Sequence, residues 1–414
     1  MKRGYLSEYF KGVAAKRLSV VEADVVQSHQ HEFNGVAGLR EILGEPEGKV
    51  KYPAKLMYLS DQDEAIVEDS SLTWYDTRAK ARIERGIMRW EYRLYFKTTD
   101  VSLRATAGDL VVIAKLHNDS LLVVIAENGS SISKQIEWLF GFSGLEQPAF
   151  SVKSELETEQ DRIEFASRFI LEGIGIVVET TADNYLSAML KKFKGKFPTT
   201  REFSAYARST LRNLDTRAEP DLVIMTWMER EEILFRTLER HLIADRLSKG
   251  FAGEENTGVD VEGFLSFSLS VQNRRKSRAG LALENHLELL FKENGLSFAR
   301  TAVTEYKSKP DFLFPGAEEY HSPAYDPLGL TMLGVKFTCK DRWRQVLAEA
   351  DRIGNKHLLT LETSISTSQT NEMASKCLQL VLPRSLHRTY TPAQQSWLID
   401  LAEFMDLVRY RQLA

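Results

Sequence analysis

The strongest constraint on this chain's fold is a change of pattern along its length. Up to about residue 145 it carries short runs rich in β-branched and aromatic residues, namely Trp90–Phe96, Leu110–Leu116 and Leu121–Ala126. Gly108-Asp109 and Asn118-Asp119-Ser120 separate them with turn-forming residues. Short strands in succession predict a barrel or sandwich. From about residue 180 apolar residues recur at helical spacing in Met225–Leu247 and Leu281–Asn294, with Gly295 placed as a C-cap. Asp311–Phe314 and Leu333–Cys339 read as short buried strands, Asp341–Ile353 as an amphipathic helix and Asp400–Tyr410 as a closing helix. Strands interleaved with helices predict an α/β domain. The expected division is therefore a β-rich domain over residues 1–175 and an α/β domain over 180–414. Glu146–Glu164, six acidic residues against two basic, reads as a solvated connector or as the first turns of a helix.

Several classes are set aside at once. No run reaches the roughly 18–20 apolar residues of a membrane span. The start, MKRGYLSEYFKG, lacks the apolar core of a signal peptide, which points to the cytoplasm. Two cysteines, Cys339 and Cys377, make neither a disulfide framework nor a four-thiolate zinc site. A net charge of -4 argues mildly against a nucleic-acid partner, but the charge is not spread evenly. Asp76–Lys97 holds seven basic residues against three acidic, Asn273–Pro310 eight against four, and Lys336–Arg344 four against one. That distribution suits two separate DNA-binding surfaces.

Chemistry concentrates in residues 273–351. Lys309-Pro310-Asp311 precedes an apolar strand, where Asp311 sits at a strand end. Alternation along the next strand turns Leu333, Val335, Phe337 and Cys339 to a core, and Lys336, Thr338 and Lys340 away from it. In the expected helix Arg342 and Glu349 are seven apart and project in a similar direction, beside an apolar stripe of Trp343, Leu347 and Ala350. Two carboxylates and a lysine suit metal-assisted phosphodiester hydrolysis, with Mg²⁺ taking oxygen ligands and the lysine countering charge on the phosphate. The plainer reading is a turn aspartate, a strand-edge lysine and a helix-surface glutamate.

Neighbouring residues bear on that choice. Lys340, Asp341 and Arg342 can read G·C pairs in the major groove, since Lys and Arg donate to guanine and a carboxylate accepts from cytosine. Asp341 also makes an ordinary helix N-cap. Arg274, Arg275, Lys276 and Arg278 form a candidate phosphate clamp or a solvated basic run. Glu284 either adds a carboxylate to the metal site or lies on an exposed helix face with Glu288.

The runs SVQNRRKSRAG, LENHLELLF, KPDFLFPGA and VKFTCKDRWRQVLAEADRI together resemble the catalytic domain of the EcoRII-type (type IIE) restriction endonucleases. The resemblance is dense from Ser270 to Ile353 and continues through Leu380–His387. It implies a restriction-endonuclease-like PD-(D/E)xK fold in a homodimer that cuts double-stranded DNA at CCWGG- or CCNGG-like sites with Mg²⁺. It also implies a cognate cytosine methyltransferase as functional counterpart. On this resemblance Asp311 and Glu349 hold the metal, Lys336 completes the site, Glu284 supports it, and Tyr320 is an active-site tyrosine. Lys340, Asp341 and Arg342 fall on the CC:GG-reading triplet. The N-terminal region, through Lys16-Arg17-Leu18-Ser19 and His29-Gln30, is similar to the family's B3-like pseudobarrel, which binds a second, effector copy of the site. His29, Lys80, Arg82, Glu84 and Arg85 fall on its DNA-contacting positions. Gly86 and Asn34 depart from the family, which has an arginine and a tyrosine there.

The resemblance implies two protomers that each read a CC:GG half and each cut one strand. The central base pair would be extruded, for which Arg230 and Trp227 are candidate pocket residues. The N-terminal domain would recruit effector DNA or inhibit the enzyme when none is bound. Two other functions fit the same residues: a modification-dependent endonuclease of this fold, and a non-catalytic two-site DNA-binding protein.

Overall fold

The computed structural model describes every residue except 1, 3, 25–30, 34–35, 87–89, 146–148, 179–182, 253–257, 340–341 and 414. The chain divides into two compact units, Met1–Val178 with Thr363–Thr370, and Glu179–Glu362 with Asn371–Ala414.

The first unit is built on eight strands: β1 (Phe10–Arg17), β2 (Glu32–Phe33), β3 (Val50–Leu59), β4 (Ile66–Asp76), β5 (Tyr92–Phe96), β6 (Leu110–Leu116), β7 (Leu121–Ala126) and β8 (Ser151–Lys153). Their order is β2-β5-β4-β3-β7-β6-β1-β8, antiparallel except where β3 meets β7. The β6–β7 hairpin shows why its two strands read as unbroken apolar runs. Side chains alternate faces, and both faces are covered. Val111, Ile113, Leu121, Val123 and Ile125 enter one core, while Leu110, Val112, Ala114, Leu122, Val124 and Ala126 enter another. Asp119, at φ 60°, makes the turn, and Asn118 Oδ1 accepts the Ser120 N–H.

Two segments of this unit bear on the sequence reading. The segment carrying Lys80, Arg82, Glu84 and Arg85 lies among strands but is itself a helix, α1 (Ala79–Arg85), stopped by Gly86 in the left-handed region at φ 64°. The acidic segment around residues 146–164 is not a solvated connector. Its β8 pairs with β1, Leu156 is buried, and the buried Asp161 holds the Lys153 ammonium at 2.6 Å. Helices α2 (Ser131–Phe140) and α3 (Phe165–Gly173) place Ile136, Leu139, Phe140, Ile170 and Leu171 in the second core.

The second unit opens with four helices, α4 (Asp183–Phe193), α5 (Thr200–Ser209), α6 (Pro220–Ser248) and α7 (Val261–Glu293). Asp260 caps α7, its carboxylate accepting the Gly263 N–H at 2.8 Å. The helix then runs unbroken for 33 residues, so Arg274–Arg278 lies inside it rather than ahead of it. A five-stranded sheet follows, in the order β13-β12-β11-β10-β9. These are β9 (Ala299–Arg300), β10 (Phe312–Phe314), β11 (Thr331–Lys336), β12 (Lys356–Thr360) and β13 (Leu378–Val381). β9, β10 and β11 pair antiparallel, and β11, β12 and β13 pair parallel. Phe291 of α7 packs edge-on against Phe312 and Phe314, at 5.2 and 5.4 Å between ring centroids.

Among the shorter or later helices of the unit are α8 (Ala317–His321), α9 (Trp343–Leu347) and α10 (Leu401–Leu413). The helix expected over 341–353 stops at Leu347, and Ala350, fully buried, turns the chain through φ 52°. Gly334 in β11 lets α9 sit close, since a Cβ there would lie 2.8 Å from a Val346 methyl.

Candidate active site

Asp311 precedes β10 and Lys336 ends β11, so the antiparallel register Phe312↔Leu333 brings the two together. Asp311 Oδ2 accepts the Val335 N–H at 2.6 Å and the Lys336 ammonium at 3.1 Å. The backbone bond fixes the carboxylate, and the lysine is held against it at the mouth of the sheet.

Glu349 reaches this pair by a different route from the one expected. It sits on the turn after α9, with its N–H on Val346 O, and not on the face of a longer helix. Its Oε2 is buried and has no hydrogen-bond partner among the described residues. Burial pushes its carboxyl above the usual glutamate range; Lys336 and Lys356 oppose this, and Asp311 adds to it. Glu284, on α7, faces the same place. Its carboxyl is raised by burial and by Asp311, and pulled back by Arg300, whose guanidinium it binds at 2.6 Å. Three carboxylates and Lys336 therefore act on one another electrostatically.

Lys356 was not singled out from sequence. It opens β12, is buried, and donates to Leu347 O at 2.6 Å while its charge acts on Glu349. The only sequence signal is a charged residue heading the apolar run HLLTL. Tyr320 lies in α8, buried, with its hydroxyl donating to Glu305 at 2.5 Å. Burial first, and then that bond, push its phenol well above the usual tyrosine range. It has no described contact with Asp311 or Lys336; its neighbours are Glu305 and Arg352.

Other expected positions are distributed elsewhere. Arg342 is exposed, while Lys340 and Asp341 lie outside the described residues, as does His29. The basic run of α7 does not form a single clamp. Arg278 is buried and paired with Glu231, which leaves it unavailable to a phosphate. Arg275 binds Glu239 at 2.7 Å, Arg274 lies over the Phe197 ring at 4.2 Å, and Lys276 is exposed. Trp227 and Arg230 are both engaged with neighbouring side chains of this unit. Trp227 is buried against the His286 ring, and Arg230 donates to Thr210 Oγ1 and Tyr185 Oη, both at 2.9 Å. In the first unit Lys16 is fully buried on Glu22, and Arg82 pairs with Asp76 while stacking 3.5 Å over Trp90. Lys80 stands free of the surface, 3.8 Å from Glu84, and Arg85 is exposed.

The donor set fits a divalent cation of the magnesium type. Among the described residues no three His, Cys, Asp or Glu side chains form a closed metal cage. Mg²⁺ does not need one, since it is held by one or two carboxylates and keeps waters or substrate phosphate oxygens in its other positions. Asp311 offers Oδ1 while Oδ2 is engaged, and Glu349 Oε2 is a buried acceptor without a donor. A buried carboxylate oxygen left unpaired is costly unless a cation or donor meets it.

The sequence and the fold are similar to those of known nucleases. The family model for the EcoRII C-terminal region matches residues 235–405. The type II restriction enzyme EcoRII of Escherichia coli is 32% identical over 346 residues, covering 80% of this chain and 77% of its own. Among solved structures, metal-depleted Ecl18kI in complex with uncleaved DNA is similar over 56% of this chain and 84% of its own, at 19% identity and TM-score 0.45. The PspGI–substrate DNA complex is similar over 52% and 94%, at 18% identity and TM-score 0.41. With its sheet, its charged cluster and that relative, the chain belongs to the EcoRII-type restriction endonucleases, type II site-specific deoxyribonucleases with a restriction-endonuclease-like α/β domain.

Proposed function

We propose that the enzyme hydrolyses both strands of double-stranded DNA at a CCWGG- or CCNGG-like site in a Mg²⁺-dependent reaction. The observation that carries this reading is the Asp311–Lys336 contact at 3.1 Å beside the buried Glu349 Oε2, which has no hydrogen-bond partner among the described residues. When bound, Mg²⁺ would be held by Asp311 and Glu349 and would supply Lewis-acid activation of water and charge neutralisation at the phosphate. Lys336 would turn its ammonium from Asp311 to a non-bridging oxygen of the scissile phosphate, countering charge as it builds. Glu349, through the oxygen not given to the cation, would orient the attacking water by accepting a hydrogen bond from it. The water would lose a proton to solvent as its oxygen bonds to phosphorus, the P–O3′ bond would break, and O3′ would take a proton from a solvent water. The products are a 5′-phosphate and a 3′-hydroxyl. Glu284, tied to Arg300, sets the field around Asp311 and supports it from α7. Lys340, Asp341 and Arg342 would read the CC:GG half-site.

One such site per chain and two strands to cut call for a homodimer. The described part of α7 leaves Val261, Leu265 and Leu269 exposed by 57%, 47% and 58%, at i, i+4 and i+8 on one face. An apolar row of this kind is self-complementary about a two-fold axis. The double variant Leu265→Glu/Leu269→Glu is expected to sediment at the 47.2 kDa of one chain and the parent at twice that mass. A variant still at the parent's mass removes this face from the dimer. The first unit would bind an effector copy of the site through α1, holding cleavage back until filled. The reading as a whole is tested by incubating supercoiled plasmid with the enzyme. Discrete fragments with Mg²⁺ and none with a chelator are expected.

A further inference from the structure

Between β9 and β10 the chain forms a loop that the reaction just described does not use. Tyr306 and Lys307 both lie in the left-handed region, at φ 57° and 60°. Side chains with a Cβ pay for that conformation, and only surrounding bonds can hold two in succession there. Those bonds are present. Thr304 N–H donates to Ser308 O at 2.9 Å and Ser308 N–H to Glu305 O at 3.0 Å, which closes the loop on itself. The Glu305 carboxylate then accepts the Tyr320 hydroxyl at 2.5 Å and the Asp351 N–H at 3.2 Å. Thr304 Oγ1 accepts the Ala350 N–H at 3.4 Å, and His321 Nε2 lies 3.0 Å from Val303 O. The base of the loop is thus fastened to the turn that carries Glu349, and its far end runs through Pro310 into Asp311.

The apex is bare. Tyr306 is 88% exposed, Lys307 and Lys309 are exposed, and none of the three side chains has a hydrogen bond, ion pair or ring contact among the described residues. Glycine or asparagine suits a left-handed residue best. Neither the backbone nor packing therefore accounts for a tyrosine at position 306. A rigid base and an unpartnered aromatic followed by two lysines, the second of them two residues before Asp311, match a contact to a polyanion.

We propose that the loop Thr304–Lys309 clamps the DNA strand beside the scissile phosphate, with Lys307 and Lys309 on flanking phosphates and the Tyr306 ring against the sugar or an adjacent base. These are positioning residues, and the proposal rests on the endonuclease reading above. In this account Tyr320 is the strut that carries the loop, which explains a buried tyrosine bonded to Glu305 rather than to Asp311.

The test uses the full-length enzyme and variants suited to the backbone. Tyr306→Asn removes the ring and keeps a residue that tolerates φ near 57°. Lys307→Asn/Lys309→Ala removes both charges. Cleavage of plasmid with Mg²⁺ is measured beside binding of a CCWGG duplex without Mg²⁺ across a salt series. Tyr306→Asn is expected to lower kcat/KM about tenfold with an unchanged or higher Tm. The double lysine variant is expected to flatten the slope of log binding constant against log salt by about 1.8, two phosphates at roughly 0.9 each. A merely structural loop would move the Tm and leave that slope alone. If the parent cuts while both variants cut within twofold of it with the parent's slope, the clamp is overturned and the endonuclease reading stands. If the parent neither cuts nor binds duplex DNA, both fall.

Discussion

Lys336→Ala should abolish cutting, with a loss of at least about 10³-fold in cleavage rate, while duplex binding without Mg²⁺ stays within a few-fold of the parent. The magnitude follows from removing a preorganised cation aimed at charge that develops in the transition state. The ammonium sits 3.1 Å from Asp311 Oδ2 and is only partly exposed, so no other described cation takes its place without moving. Lys356, the nearest alternative in charge, is buried and bound to Leu347 O. The companion change Asp311→Asn keeps an oxygen to accept the Val335 N–H, so the strand end should stay folded while a metal ligand loses its charge. Circular dichroism and Tm report the fold, and single-turnover cleavage reports the chemistry. A Lys336→Ala enzyme that cuts at the parent rate would remove this lysine from the mechanism.

Glu349→Gln should make the metal-free protein more stable and at the same time nearly inactive. Burial holds the Glu349 carboxyl above its usual range, and its Oε2 lacks a hydrogen-bond partner among the described residues. The folded pKa is therefore higher than the unfolded one, and the folded state binds the proton more tightly. Stability from this group is greatest at acid pH and is lost as pH rises through the folded value. Glu284, also raised by burial, has the same sign. Above the folded pKa the parent bears the cost of a buried carboxylate. Neutralising it is worth about 1 kcal/mol, or about 2–4 °C in Tm for a unit of this size. Added Mg²⁺ should raise the Tm of the parent, because a cation that binds only the folded form stabilises it, and should leave Glu349→Gln unchanged. Cleavage should fall by at least about 10²-fold. A variant that is less stable than the parent, with an unaltered response to Mg²⁺, would mean that Glu349 is held by protein donors and is not a ligand.

How far the sequence led depends on whether the deciding contact was local. The β6–β7 hairpin was legible residue for residue, since its strands and its turn are written in adjacent residues. Lys336 was legible because alternation along its strand turns it from the core, and Asp311 because it heads an apolar strand; that the two meet is set by the register of β10 on β11, which joins residues more than 20 apart. Glu349 was named for the wrong geometric reason: the left-handed turn at Ala350 leaves no mark in an alanine. The start of α7 was missed because Gly263 and the serines that follow it are poor helix formers, and the Asp260 cap that begins the helix lies well ahead of its buried apolar stretch. Arg278 looked like a phosphate ligand because its partner, Glu231, is 47 residues away. The acidic segment looked like a connector because charge was easier to see than the pairing of β8 with β1.

The central claim is that this site cuts both strands at one short sequence. Sequencing the ends of Mg²⁺-dependent cleavage products tests it most directly. Ends that all fall at CCWGG or CCNGG, with 5′-phosphates and 3′-hydroxyls, are the predicted result. Ends scattered without a common sequence, or ends unchanged when Lys336 is replaced by alanine, would contradict it.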